Sequence, residues 1–95
     1  MRVRWTKPAA NDLTSICDYI KEHGGPETAR TVALRIYEGV GQLAKFPKLG
    51  REGRKSGTRE MVFRGLPFLA VYRLRQDVVE INRILHGAQR YPESL

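Results

Sequence analysis

Cysteine is almost missing from this sequence: Cys17 is the only one in 95 residues. A single thiol forms no intrachain disulfide, so packing alone must hold the fold, which suits a reducing compartment. Histidine is scarce too. His23 and His86 are the only two, and no His or Cys pair has the spacing of a metal-ligand set. No metal is therefore expected. A glycine-rich stretch near residue 50 lacks the Gly-Lys-Ser/Thr ending of a phosphate-binding loop and leads into a strand instead of a helix. With no dinucleotide fingerprint either, no cofactor is expected. Long apolar runs are absent, and none approaches the roughly 20 residues that cross a bilayer. The opening Met1-Arg2-Val3-Arg4-Trp5 turns polar without the apolar stretch of a secretion signal. The expected setting is the cytoplasm, with no membrane partner. Acidic residues are also in the minority, ten against seventeen Lys and Arg, for a net charge of +7. That surplus favours an anionic partner, either a nucleic acid or an acidic protein segment.

The apolar residues that are present fall into clear periods. Val3 and Trp5 alternate with Arg2 and Arg4, which predicts a short strand. Leu13, Ile16, Cys17 and Ile20 form one stripe of an amphipathic helix that starts near Thr6-Lys7-Pro8 and stops at Gly24-Gly25. Pro26 opens a second helix, whose apolar positions run from Ala29 to Ala44 before Pro47 ends it. Two helices joined by so short a turn predict an antiparallel hairpin. Residues 47–57 have no periodicity, and a basic, mobile loop is expected there. Three strands are predicted next, over Thr58–Arg64, Phe68–Leu74 and Val78–Leu85, with turns at Gly65-Leu66-Pro67 and Gln76-Asp77. The expected fold is one α+β domain over residues 1–95, in the order β-α-α-β-β-β. In it the helical hairpin packs on a small antiparallel sheet, and the first strand lies at an edge of the meander.

Lys48, Arg51, Arg54, Lys55, Arg59 and Arg64 lie within 17 positions, opposed only by Glu52 and Glu60. Arg73, Arg75, Arg83 and Arg90 add charge further on. If the strand-borne arginines gather opposite the helices, that face can bind RNA phosphates or stabilise charge at phosphorus during strand cleavage. Equally, they can do no more than solvate the open sheet face. His86, among these arginines, is a candidate base, and Tyr91 a second proton-transfer group; metal-free RNA cleavage needs both a base and an acid. The bland alternative is that His86 and Tyr91 pack the tail against the core. His23 reads as a cation at a helix C-terminus. Tyr19, Tyr37 and Tyr72 read as packing residues, and Trp5 and Cys17 as core.

Taken in order, several pieces resemble the RelE/ParE superfamily of bacterial toxins. They are Ala10, Asp12, Leu13, Ile16 and Tyr19-Ile20; Leu43-Ala44-Lys45-Phe46-Pro47 with Gly50-Arg51; Gly57-Thr58-Arg59-Glu60; Val71-Tyr72-Arg73; and Ile84-Leu85-His86-Gly87-Ala88-Gln89-Arg90-Tyr91-Pro92. The resemblance implies a toxin of a type II toxin–antitoxin or plasmid-stabilisation system, neutralised by a cognate antitoxin whose acidic or amphipathic tail wraps it. It implies one of two targets: DNA gyrase for ParE-like members, or the ribosome and its mRNA for RelE-like ones, which cleave without a metal. The sequence resembles the ParE branch more. RelE-like ribonucleases often carry an arginine two residues before the Val-Tyr pair, where Leu69 stands here, although Arg64 matches another of their arginines. If the mRNA-interferase reading holds, the catalytic residues would be Arg59, Arg64, Arg83, His86 and Tyr91. Lys48, Arg51, Arg54, Lys55 and Arg73 are the candidate nucleic-acid contacts. A basic nucleic-acid-binding protein without toxicity is the third possibility.

Overall fold

A computed structural model describes residues 1–93 and 95. The chain runs β1 (Arg2–Trp5), α1 (Lys7–Gly24), α2 (Pro26–Gln42), β2 (Arg51–Glu52), β3 (Arg59–Val62), β4 (Phe68–Arg75) and β5 (Val78–His86). Thr6 sets the start of α1. Its hydroxyl accepts the Ala9 N–H at 3.2 Å and reaches the Ile81 carbonyl at 2.9 Å, so one side chain caps the helix and fastens it to β5. Gly25, at φ 91°, ends α1 and begins α2, which makes the hairpin turn a single residue. Helix α2 stops at Gln42, two residues before the apolar periodicity does.

The five strands form one sheet in the order β1-β5-β4-β3-β2. The meander β3-β4-β5 is antiparallel as its short turns require, while β1 joins β5 in parallel, Val3 opposite Val79. The sheet is thus mixed, with its first strand at the expected edge. Residues 47–57 depart from the expectation of a mobile loop. Arg51 and Glu52 pair with Glu60 and Arg59, and the fully buried Tyr72 hydroxyl donates to the Pro47 carbonyl and accepts the Gly50 N–H, each at 2.8 Å. Two charged residues carry no apolar alternation, so this strand leaves no trace in the hydrophobic pattern.

The core lies between hairpin and sheet, where Leu13, Ile36 and Val40 meet Met61, Tyr72 and Ile81. Trp5 and Cys17 are half-buried at its margin, and burial, then the neighbouring Asp18, push the Cys17 thiol above its ordinary value. Tyr72 is core as expected. Tyr19 and Tyr37 are not: Tyr19 lies exposed and stacked on His23, and exposed Tyr37 tilts against Trp5. A second apolar cluster, Leu69, Val71 and Leu85, sits on the opposite sheet face under Tyr91 and Leu95.

At Gly39, α2 lies directly against the Phe63 ring. A Cβ there would stand 2.7 Å from the buried Phe63 ring. Alanine favours a helix interior by about 1 kcal/mol over glycine. Gly39→Ala is nonetheless expected to destabilise the protein by about 1–2 kcal/mol, since a buried ring has little room to yield. Urea denaturation checks this, and a gain in stability would show that the ring moves freely.

Candidate functional site

Two places on this scaffold stand out among the described residues. The first centres on Glu60, which with Val62 forms the side of β3 that points away from the helices. Its carboxylate is only 3% exposed and takes bonds from Arg51 (3.0 Å), Arg54 (2.9 Å) and the Tyr91 hydroxyl. Burial works against its charge, but the hydrogen bonds from Tyr91, Arg54 and Arg51 outweigh that and hold its pKa down to about 2. Burial and the same contact push the Tyr91 phenol above its ordinary value, so it parts with its proton less readily. Arg54 also lies over the Tyr91 ring at 4.5 Å and donates to the Gln89 carbonyl, binding the C-terminal tail to the loop. Glu80 plays a parallel part between Arg4 and Arg75. Against the pull of burial, Asn82 and these arginines lower its pKa.

These contacts show what became of the expected guanidinium face. Val3 and Trp5 pack toward the helices, so strand alternation turns Arg2 and Arg4 the other way; Leu69 and Val71 do the same for Arg73 and Arg75. Arg51 and Arg54 are tied to Glu60 from the loop side. The face opposite the hairpin is therefore arginine-rich, although two buried or half-buried carboxylates balance much of its charge.

The five candidate catalytic residues do not converge. Arg83 grips Asp12 of α1 through two bonds, at 2.6 and 2.8 Å. Asp12 also accepts the Ile84 N–H, just past the point where β1 stops covering β5. Arg59 donates to the Gly50 carbonyl at 2.7 Å, and Tyr91 is held by Glu60. Exposed Arg64 occupies the β3–β4 turn. His86 ends β5 opposite Phe68, with Nδ1 accepting the Ala88 N–H. Arg64 and His86 thus share one end of the sheet, yet among the described residues no hydrogen bond joins any two of the five. Of the nucleic-acid candidates, Arg73 donates to the Leu95 carbonyl, and so does Lys55 at 3.2 Å. Lys48 is exposed on the 47–50 segment. Neither Asp12 nor Glu60 is among the site residues that the sequence singles out. For Glu60 the available signal is a carboxylate at a strand position in a run of arginines; Asp12, on α1, has no comparable signal around it.

The second place is a groove of about 790 Å³ between α2 and β3. Met61, Phe63 and Gly39 line it, with Arg35, Arg51 and Arg64 set against Glu38 and Glu60. Phe63 donates its N–H to Phe68, toward β4. By alternation Val62 directs its own N–H and C=O outward, beyond the last residue that β2 covers. Exposed Val62 and Leu49 add apolar surface beside this open edge.

Comparison with known proteins agrees with this architecture. The model of the family described as ParE toxin of type II toxin-antitoxin system, parDE, matches residues 3–91. The chain is 40% identical to a putative toxin, Y4kP, of Sinorhizobium fredii, over 99% of this chain and 96% of that one. It is 36% identical to toxin RelE2 of Caulobacter vibrioides, over 93% and 97% of the two chains. A solved chromosomal ParDE TA system from P. aeruginosa superposes with a TM-score of 0.84 at 32% identity, covering 90% of this chain and 95% of that one. Helical hairpin, five-stranded sheet and near full-length sequence match therefore agree, and the chain belongs to the ParE toxin family of type II toxin–antitoxin systems.

Proposed function

We propose that this toxin arrests growth as a ParE-type inhibitor of DNA gyrase, and that its antitoxin silences it by filling the groove between α2 and β3. One observation carries the choice of target. Metal-free RNA cleavage requires a base and an acid converging on one phosphate. Here Arg83, Arg59 and Tyr91 each have a different intramolecular partner, Asp12, the Gly50 carbonyl and Glu60. An inhibitor that works by binding needs no such convergence. The arginine-rich sheet face and the basic loop suit a target that is itself held on DNA. Such a target places the protein in the cytoplasm, in line with a chain in which, among the described residues, no helix is long and apolar enough to cross a membrane.

Purified gyrase with added toxin is expected to lose supercoiling activity and accumulate cleaved DNA. Unchanged supercoiling at several-fold excess of a toxin that kills cells would reject the reading. The placement of Arg64 and His86 at the same end of the sheet makes the ribosome-dependent nuclease the competitor. Cleavage of translated mRNA that disappears in both His86→Ala and Arg64→Ala would establish the competitor instead.

A further inference from the structure

We propose that the turn from Lys55 to Arg59 is a binding site for a phosphate group of a nucleic-acid backbone. A surface cavity of about 300 Å³ opens there, separate from the α2–β3 groove and lined by Lys55, Ser56, Gly57, Thr58, Arg59 and Leu74.

Three features of the turn suit an anion. Thr58 closes it by donating its N–H to the Lys55 carbonyl at 3.1 Å, and Gly57 sits at φ 81°. Among the described residues, the backbone N–H groups of Lys55, Ser56 and Gly57 have no acceptor. Successive free amides in a turn with a left-handed residue form a concavity of positive partial charge. The neighbouring cations also retain donors. Among the described residues, Arg59 bonds carbonyls through one terminal nitrogen, with no acceptor at its Nε or other terminal nitrogen. Lys55 makes, among the described residues, one bond, to the main-chain oxygen of Leu95, out of the three its ammonium offers. Glu52 places a single carboxylate on the rim, outnumbered by these two cations.

The choice of a nucleic acid over free phosphate rests on Leu74. It gives the cavity an apolar wall beside the cations, which fits a sugar attached to the phosphate, and about 300 Å³ exceeds what a bare phosphate fills. The site also narrows the basic cluster to its working members. Arg51 and Arg54 are balanced by Glu60, whereas among the described residues no Asp or Glu side chain forms an ion pair with Lys55 or Arg59, and Lys55 meets only the main-chain oxygen of Leu95.

The test uses the full-length toxin and a short fluorescein-labelled single-stranded oligonucleotide. Amide NMR signals of Lys55, Ser56 and Gly57 are expected to shift on titration. Ser56→Asp and Lys55→Gln, both at exposed positions, are each expected to weaken binding about 5–10-fold, and the latter to reduce the salt dependence by about one counterion. Lys21→Gln, on α1, should leave affinity within about twofold as a control for net charge. Circular dichroism melting establishes that each variant is folded. Unmoved amides, or wild-type affinity in Ser56→Asp, would overturn the proposal. Amides that move with inorganic phosphate but not with the oligonucleotide would overturn it as well, assigning the turn to the free ion.

Discussion

Replacing Arg51 and Arg54 together with alanine is expected to destabilise the toxin by about 3–5 kcal/mol, more than replacing Glu60, the residue that both of them hold. The order follows from where each charge lies. Glu60 is 3% exposed, whereas the side chains of Arg51 and Arg54 are 68% and 44% exposed. Without the arginines, a buried carboxylate is left with the Tyr91 hydroxyl as its main donor. Without the carboxylate, two guanidinium groups simply return to water. Glu60→Gln also keeps an oxygen for Tyr91, so its cost should be about 1–2 kcal/mol. For a domain of this size each kcal/mol moves the melting temperature by about 4–8 °C, so the two variants should separate clearly in a thermal scan. Equal losses, or a larger loss for Glu60→Gln, would mean that the buried charge is solvated by some other route.

The same carboxylate gives the wild type a pH signature. Glu60 binds its proton less tightly when folded (about 2) than at its ordinary value of 4.5. Its contribution is therefore complete above pH 4.5 and disappears as the pH falls toward 2. Glu80 adds a loss of the same sign. Denaturation midpoints should fall through this acid window in the wild type and fall less steeply in Glu60→Gln.

Hydrophobic periodicity made the architecture legible because burial is what the helices and the meander have in common. Every apolar stripe that the sequence displays, from Leu13 to Ile20 and from Val71 to Ile84, belongs to an element that packs. Strand β2 was invisible for the converse reason: Arg51 and Glu52 are exposed and joined by backbone pairing alone. The tyrosines mark a limit of residue type. Tyr19 and Tyr37 sit in periodic helices yet on their wet sides, where an aromatic ring pairs with His23 or Trp5 and stays exposed. The basic cluster marks a limit of proximity in sequence. Arg59 and Glu60 are neighbours, but strand alternation sends one toward the 47–50 segment and the other into the network beneath Tyr91. Nearness along the chain identified the charges; only the pleat shows which of them meet. Arg83 makes the same point at longer range, since its partner Asp12 lies 71 residues away.

Substitutions in the α2–β3 groove should separate antitoxin binding from folding. Val62→Glu is expected to weaken the antitoxin at least tenfold while changing the toxin's own stability by less than about 0.5 kcal/mol, the usual range for an exposed site away from packed contacts. Val62 is 55% exposed, and its side chain fills no core position. Its outward N–H and C=O are a ready pairing edge for an extended segment, and its isopropyl group is apolar surface that such a segment would cover. A toxin of charge +7, with Arg35 and Arg64 at the groove and Arg51 held by Glu60, selects a segment that combines acidic and apolar residues. A glutamate at position 62 opposes both features of that partner. Arg64→Glu should act through charge alone, slowing association and losing much of its effect in high salt, whereas the apolar part of the Val62→Glu defect should persist there. Stopped-flow association and calorimetric titration of each variant with the antitoxin, at low and high salt, measure both effects. Wild-type affinity in Val62→Glu would place the antitoxin elsewhere on the molecule, with the outer face of the helical hairpin as the next surface to examine.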